Sequence, residues 1–191
     1  MARHRVAIIG LGMAVTPHAK SLVDLKDRVE VAAAFSPTEG RRRAFAERFP
    51  FPLADNLDAI LDDPTIDAVL ILTPPNTHLD LVRRAAAAGK HVLLEKPLEI
   101  STARGEELVR VCRDADRKLG IVLQHRFRPA AIRLRALIDA GDLGALISAS
   151  AGIRLWRPQS YFDEPGRGTK LPMRRGAPFG PTIWPVTWPQ K

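Results

Sequence analysis

The chain has 191 residues, 46% of them hydrophobic and 26% charged, which suits one packed domain plus part of another and excludes wholesale disorder. A single cysteine, Cys112, excludes an internal disulfide framework and fits a reducing compartment. The net charge of +8 comes mostly from residues 151–191, where seven Lys/Arg face two Asp/Glu; these basic residues are scattered among prolines with no helical stripe, so no nucleic-acid partner is expected.

No apolar run approaches the roughly 18 residues of a membrane span, so no membrane association is expected. Met1-Ala2-Arg3-His4-Arg5 leads straight into an apolar strand with no signal-peptide pattern. A cytoplasmic location is the expectation. In chain order, Arg5–Ile9 reads as a strand ending in Gly10-Leu11-Gly12, and Met13–Leu25 as a helix that tolerates Pro17 only near its first turn. Val29–Phe35 is a second strand and Thr38–Phe49 an Arg-rich helix. Asp55 or Asn56 caps a short helix over Leu57–Leu61. Asp67–Thr73 is a near-continuous apolar run, as in a parallel strand buried on both faces. Thr77 caps a helix closed by Gly89, and His91–Leu94 is the next buried strand. Ser101 or Thr102 caps a long helix to about Lys118, stopped by Gly120. Ile121–His125 is a strand, Pro129 starts a helix to about Ala140, and Ala145–Trp156 alternates as a half-buried strand does. Strands alternating with helices through His125 predict an α/β fold with a doubly wound parallel sheet.

In such sheets ligands bind outside the carboxyl ends of the strands. Gly10-x-Gly12 sits there, at a strand-to-helix junction suited to a pyrophosphate at the helix N-terminus. Position 15 is Val where the fingerprint wants Gly or Ala, and the alternative is a plain strand-to-helix turn. Ser36 ends the second strand in place of the acid that would bind the ribose 2′-hydroxyl of NAD. Ser36 cannot repel a 2′-phosphate, and Arg41 and Arg42 are near enough to pair with one, so the choice tilts from NAD towards NADP. The alternative is that both arginines solvate a helix face. Asn76, His78, Glu95 and Lys96, at the ends of the third and fourth strands, face one crevice. Lys96 could donate to a substrate hydroxyl or stabilise a developing alkoxide, or be a snorkelling surface lysine. His78 reads better as a polar residue in the first turn of its helix than as a substrate ligand.

The runs Gly10-Leu11-Gly12-Met13-Ala14, Thr73-Pro74-Pro75-Asn76-Thr77-His78, Ala88-Gly89-Lys90-His91-Val92-Leu93-Leu94-Glu95-Lys96-Pro97 and Gln124-His125-Arg126-Phe127-Arg128-Pro129 together resemble the Gfo/Idh/MocA family of NAD(P)-dependent sugar and polyol dehydrogenases. The resemblance covers about residues 5–165. It implies a Rossmann domain over residues 1–125 and the start of an α/β substrate domain over 126–168, incomplete here. It implies hydride transfer between a secondary alcohol of a sugar or polyol and nicotinamide, with Lys96 as the family's catalytic lysine. The cofactor-binding set it implies is Gly10, Gly12 and Met13 in the turn, Ser36 and Arg41 beyond the second strand, and Thr73, Pro74, Asn76, His78, Glu95 and Lys96 around the crevice. A homo-oligomer is a further expectation, since family members associate through the second domain's sheet. No metal is implied.

The family also uses an Asp-x-x-x-His pair in the second domain. Here the last histidine is His125 and no aspartate follows Asp163. Residues 169–191 read as an irregular Pro- and Arg-rich tail. Read from the third base of each codon, residues 182–189 can encode Asp-Leu-Ala-Arg-His-Leu-Ala, which contains the missing pair. The expectation is therefore a truncated or frameshifted dehydrogenase, inactive or weakly active as printed. The alternative is a non-catalytic dinucleotide-binding or regulatory protein.

Overall fold

A computed structural model describes residues 3–163 except 153 and 155. Strands β1 (His4–Ile9), β2 (Val29–Phe35), β3 (Ala68–Ile71), β4 (His91–Glu95) and β5 (Leu119–Val122) form one all-parallel sheet in the order β2-β1-β3-β4-β5. β1 therefore lies between β2 and β3, and the strand order reverses at the β1–β3 boundary.

The strands are apolar on both faces, and at β1 and β3 both faces are covered, whereas Leu93 of β4 is exposed. From β1, Ile8 packs with Val31, Leu70 and Leu72 against Val15 and Ala19 of α1 (Val15–Asp24) and Phe45 of α2 (Glu39–Ala46). Its neighbours Ala7 and Ile9 point the other way. They join Val69, Ile71, Val92 and Leu94 under α3 (Asp58–Leu61), α4 (His78–Ala87) and α5 (Thr102–Asp114). A period of two along β1 thus feeds two separate cores. Val15, the departure from the glycine fingerprint, is 3% exposed and belongs to the first of them. α1 meets the sheet there through a valine.

A single parallel bridge pairs Leu53 with Ala34 of β2, with Ala34 N donating to Pro52 O and Ala54 N to Ala34 O. This rudimentary strand lies outside β2, where the third strand of a dinucleotide-binding sheet runs. Pro50 and Pro52 precede it and limit it on that side. The sequence reading did not anticipate it.

Several local expectations hold. Asn56 Oδ1 accepts from Ala59 N at 2.8 Å, and Ser101 Oγ accepts from Arg104 N at 3.4 Å. Gly89 closes α4 at φ +74°. Others are corrected. The long helix ends at Asp114 and Gly120 lies inside β5, opposite Leu93. Leu93 Cδ1 sits 3.1 Å from where a Cβ at Gly120 would be, so the glycine serves packing between strands, not helix termination. His125 belongs to a 3₁₀ turn over Gln124–Phe127, followed by α6 (Pro129–Asp139). Of the strand expected over Ala145–Trp156, the described residues 145–152 form no helix or strand and are exposed, and the next described element is α7 (Gln159–Asp163). A strand needs a neighbour for its hydrogen bonds, and among the described residues β5 pairs with β4 alone. The tail over 169–191, with its shifted-frame reading, lies outside the described residues. No helix among the described residues is long and apolar enough to cross a membrane.

Candidate functional site

Gly10 leaves β1 with φ +104° and donates its N–H to Phe35 O at 2.9 Å. A Cβ there would lie 2.8 Å from the backbone carbon of Leu72 and 3.0 Å from Cγ2 of Thr73. The ends of β1, β2 and β3 therefore meet on this residue, and only glycine fits. Gly12 differs. The nearest atom to its Cβ position is Nη1 of Arg41, at 3.9 Å, and the space beyond is open. Met13 follows, exposed at the tip of the turn before α1. An open face at Gly12 and a helix N-terminus with no acid in its first turn fit a pyrophosphate-bearing group.

At the end of β2 the two arginines separate. Arg42 Nη1 donates to Ser36 O at 2.5 Å and is spent on the backbone. Arg41 is exposed and lies beside the glycine turn. Ser36 is buried, and its hydroxyl accepts from Thr38 N at 3.4 Å.

The ends of β3 and β4 are tied together. His78 is fully buried, with Nε2 2.9 Å from Thr73 O and Nδ1 3.1 Å from Leu98 O. It links the two loops from inside the fold, as a structural residue of the crevice. Thr77 does not cap α4. Its hydroxyl donates to Pro74 O at 2.7 Å and lies 2.7 Å from Thr73 Oγ1. The free N–H of Leu79 donates instead to Glu99 Oε1 at 3.1 Å. Pro74 and Asn76 are exposed on the same loop. Glu95 carries its carboxylate 3.5 Å from His18 Nε2 of α1, each side chain less than one-fifth exposed, and also accepts from Lys96 N. The Lys96–Pro97 peptide is cis. Lys96 is exposed, and among the described residues its Nζ makes no hydrogen bond or ion pair, so the amine is available to a ligand.

Glu99 is the most heavily bonded carboxylate here. Its side chain is 1% exposed. It accepts from Arg104 Nη2 at 2.8 Å and Nε at 3.0 Å, from Ile100 N at 2.6 Å and from Leu79 N. Burial pushes its carboxyl up, but the bonds from Arg104, Ile100 and Leu79 outweigh that and hold it below its ordinary 4.5. The resulting stability is fully present above the unfolded value and is lost as pH falls through the lower folded one. The urea midpoint of the chain is expected to drop on acidification below about 4.5, and that of Glu99→Gln to vary less over the same interval. Equal slopes for both proteins would contradict this.

Sequence reasoning missed His18, Glu99 and Arg104. His18 carries no local signal. Arg104 does carry one: it is a cation in the first turn of α5, against the helix dipole, and such a residue calls for an acidic partner. Among the described residues no cluster of His, Cys, Asp and Glu could hold a metal.

The profile described as "Oxidoreductase family, NAD-binding Rossmann fold" matches residues 4–122, the whole sheet and its crevice. The chain belongs to the Gfo/Idh/MocA oxidoreductase family. It is 33% identical over 145 residues to scyllo-inositol 2-dehydrogenase (NAD(+)) of Bacillus subtilis, covering 73% of this chain and 41% of that protein. It is 36% identical over 135 residues to D-xylose 1-dehydrogenase (NADP(+)) 2 of Haloferax volcanii, covering 70% and 41%. Among solved structures, myo-inositol 2-dehydrogenase from Lactobacillus plantarum superposes with a TM-score of 0.68 at 26% identity, over 76% of this chain and 44% of that one. The WlbA dehydrogenase from Chromobacterium violaceum, in complex with NADH and UDP-GlcNAcA, gives 0.75 at 25% identity, over 87% and 49%. The chain thus spans less than half the length of these Gfo/Idh/MocA relatives.

Proposed function

We propose that this chain binds a nicotinamide dinucleotide at the β1–β3 switch point and is an oxidoreductase of the sugar or polyol dehydrogenase type. The observation that carries the reading is convergence. The open glycine turn at Gly12, the Thr73–Asn76 loop and the Glu95–Lys96 strand end meet where the strand order reverses. When bound, the dinucleotide supplies the hydride-exchanging carbon. Lys96, with its Nζ unengaged, donates a hydrogen bond to the substrate hydroxyl and stabilises negative charge developing on that oxygen. His18 beside Glu95, and the Glu95 carboxylate on Lys96 N, hold the strand end from which that lysine projects. Substrate orientation and an Asp-x-x-x-His acid–base are expected from a second domain. No such pair occurs in this chain, and losing a general base costs about 10²–10⁴-fold. These 191 residues by themselves are proposed to bind cofactor with little or no turnover. The less favoured second reading is a non-catalytic dinucleotide-binding or regulatory protein.

A fluorescence titration with NADPH and NADH, followed by a panel of sugars and polyols, tests the proposal. Binding of either dinucleotide supports it; no binding of either overturns it. Measurable substrate-dependent reduction of NAD(P) would remove the second reading.

Within this reading NADP is preferred, through Arg41. A guanidinium–phosphate bond contributes about 1.5–3 kcal/mol. Arg41→Ala is accordingly expected to weaken NADPH binding about tenfold or more, where 1.4 kcal/mol is tenfold, with NADH affected far less. Equal losses for the two cofactors would count against a 2′-phosphate contact.

A further inference from the structure

We propose that Glu99 and Arg104, which the dinucleotide reading does not use, are positioning residues that clamp the crevice's two loops together and set the place of Lys96. The inference rests on the dinucleotide reading above for its functional consequence, but the clamp itself stands on geometry.

The two loops leave adjacent strands. One, Thr73–Thr77, follows β3. The other, Lys96–Ile100, follows β4. No backbone hydrogen bond between them is among those described. Their connections run through side chains. Glu99 accepts from Leu79 N, at the start of α4, and from Ile100 N in its own loop. Arg104 grips both oxygens of Glu99 and reaches on with Nη2 to Asn76 O at 3.3 Å. The His78 ring lies between the loops, its two nitrogens facing Thr73 O and Leu98 O. One carboxylate and one guanidinium thus fix three backbone groups, Leu79 N, Ile100 N and Asn76 O, on both sides of the crevice. Fork-to-fork pairing adds geometric constraint as well as energy. Removing Arg104 leaves a carboxylate with its side chain 1% exposed short of two donors. The loop must then rearrange to hydrate it.

A comparison pair is built into the same helices. Arg83 of α4 bonds Glu107 of α5, one turn further from the crevice. It docks α4 on α5 without touching either loop. If Glu99 and Arg104 merely docked the helices, breaking either pair would have the same effect.

The test uses the full chain and the variants Arg104→Gln, Arg104→Lys, Glu99→Gln and Glu107→Gln. Folding is checked by far-ultraviolet circular dichroism at the temperature of measurement. Amide hydrogen exchange is followed without ligand over residues 73–79 and 96–104. NADPH affinity, and the emission maximum of bound NADPH, are then measured. In Arg104→Gln, exchange in both segments is expected to quicken about tenfold while β1 and β3 keep parental rates, because a locally open loop exchanges independently of the sheet. NADPH binding is expected to weaken about tenfold, since only the fraction with both loops in place binds, and the emission maximum to move towards that of free NADPH. Arg104→Lys, which keeps the charge but not the fork, is expected to recover part of each effect. Glu107→Gln is expected to show none.

If Arg104→Gln and Glu107→Gln give the same exchange and affinity, the clamp is overturned. Faster exchange with unchanged affinity and emission overturns the positioning role. If Glu99→Gln does not fold, the arginine variants still decide. If the parent chain binds neither NADPH nor NADH, the dinucleotide reading fails, while loop exchange still decides whether the clamp exists.

Discussion

Gly12→Val is expected to lose dinucleotide binding by about 100-fold or more, equivalent to about 2.7 kcal/mol, with almost no change in stability. The neighbourhood explains the asymmetry. Apart from its chain neighbours, the nearest atom to a Cβ built at Gly12 is the end of a flexible arginine, at 3.9 Å. Gly12 has no positive φ to penalise a side chain. The valine therefore projects into the open side of the turn, where a pyrophosphate is proposed to approach. Titration with NADPH beside a urea melt of the same sample separates the two quantities. Parental affinity in Gly12→Val would show that the open side is not the cofactor's.

Gly10→Ala is expected to do the opposite, and to act without any ligand present. The added methyl meets the Leu72 backbone carbon at 2.8 Å, and the residue must hold φ +104°. Strain at a positive φ costs about 1–3 kcal/mol. Overpacking against backbone that cannot move aside costs about 1–3 kcal/mol more. Together these take a large part of the roughly 5–15 kcal/mol that holds a domain folded. The expected result is a much lower urea midpoint, or recovery only in aggregates. A variant that melts at the parental midpoint would contradict the close approach of β1 to the Leu72–Thr73 turn. Two glycines of one motif thus separate into a packing glycine and a ligand-facing one.

Much of this architecture was legible because its causes are local. The apolar runs over β1 to β4 mark strands, and each is found. Gly89, Asn56 and Ser101 end or begin helices as their chemistry suggests. Gly10-x-Gly12 and Glu95-Lys96-Pro97 fall at strand ends, as their positions after apolar runs implied. The failures share a different cause. Gly120 looked like a helix stop because nothing in the sequence shows that Leu93 needs the space across the strand pair. Leu53 is a strand of one rung, too short to show any period. Thr77 had the right residue type for a cap, but its hydroxyl is taken by Pro74 O, and the capping group comes from Glu99. The separation of Arg41 from Arg42 depends on which one reaches back to Ser36 O, a matter of side-chain direction that adjacent letters do not record. The strand expected over 145–156 failed over the described residues 145–152 because alternation describes a surface that could be half-buried, and pairing needs a neighbour.

On a ribosome, α4 emerges before the residue that completes its first turn. Glu99 lies 20 residues beyond Leu79. At translation rates of about 5–20 residues per second, roughly 1–4 s pass between them. A helix of this length forms and melts on the microsecond scale, so α4 flickers many times in that interval with its leading N–H groups in water. It settles when the chain has grown past β4 and Glu99 reaches Leu79. The two crevice loops can be tied only after Glu99 and Arg104 have followed β4 out.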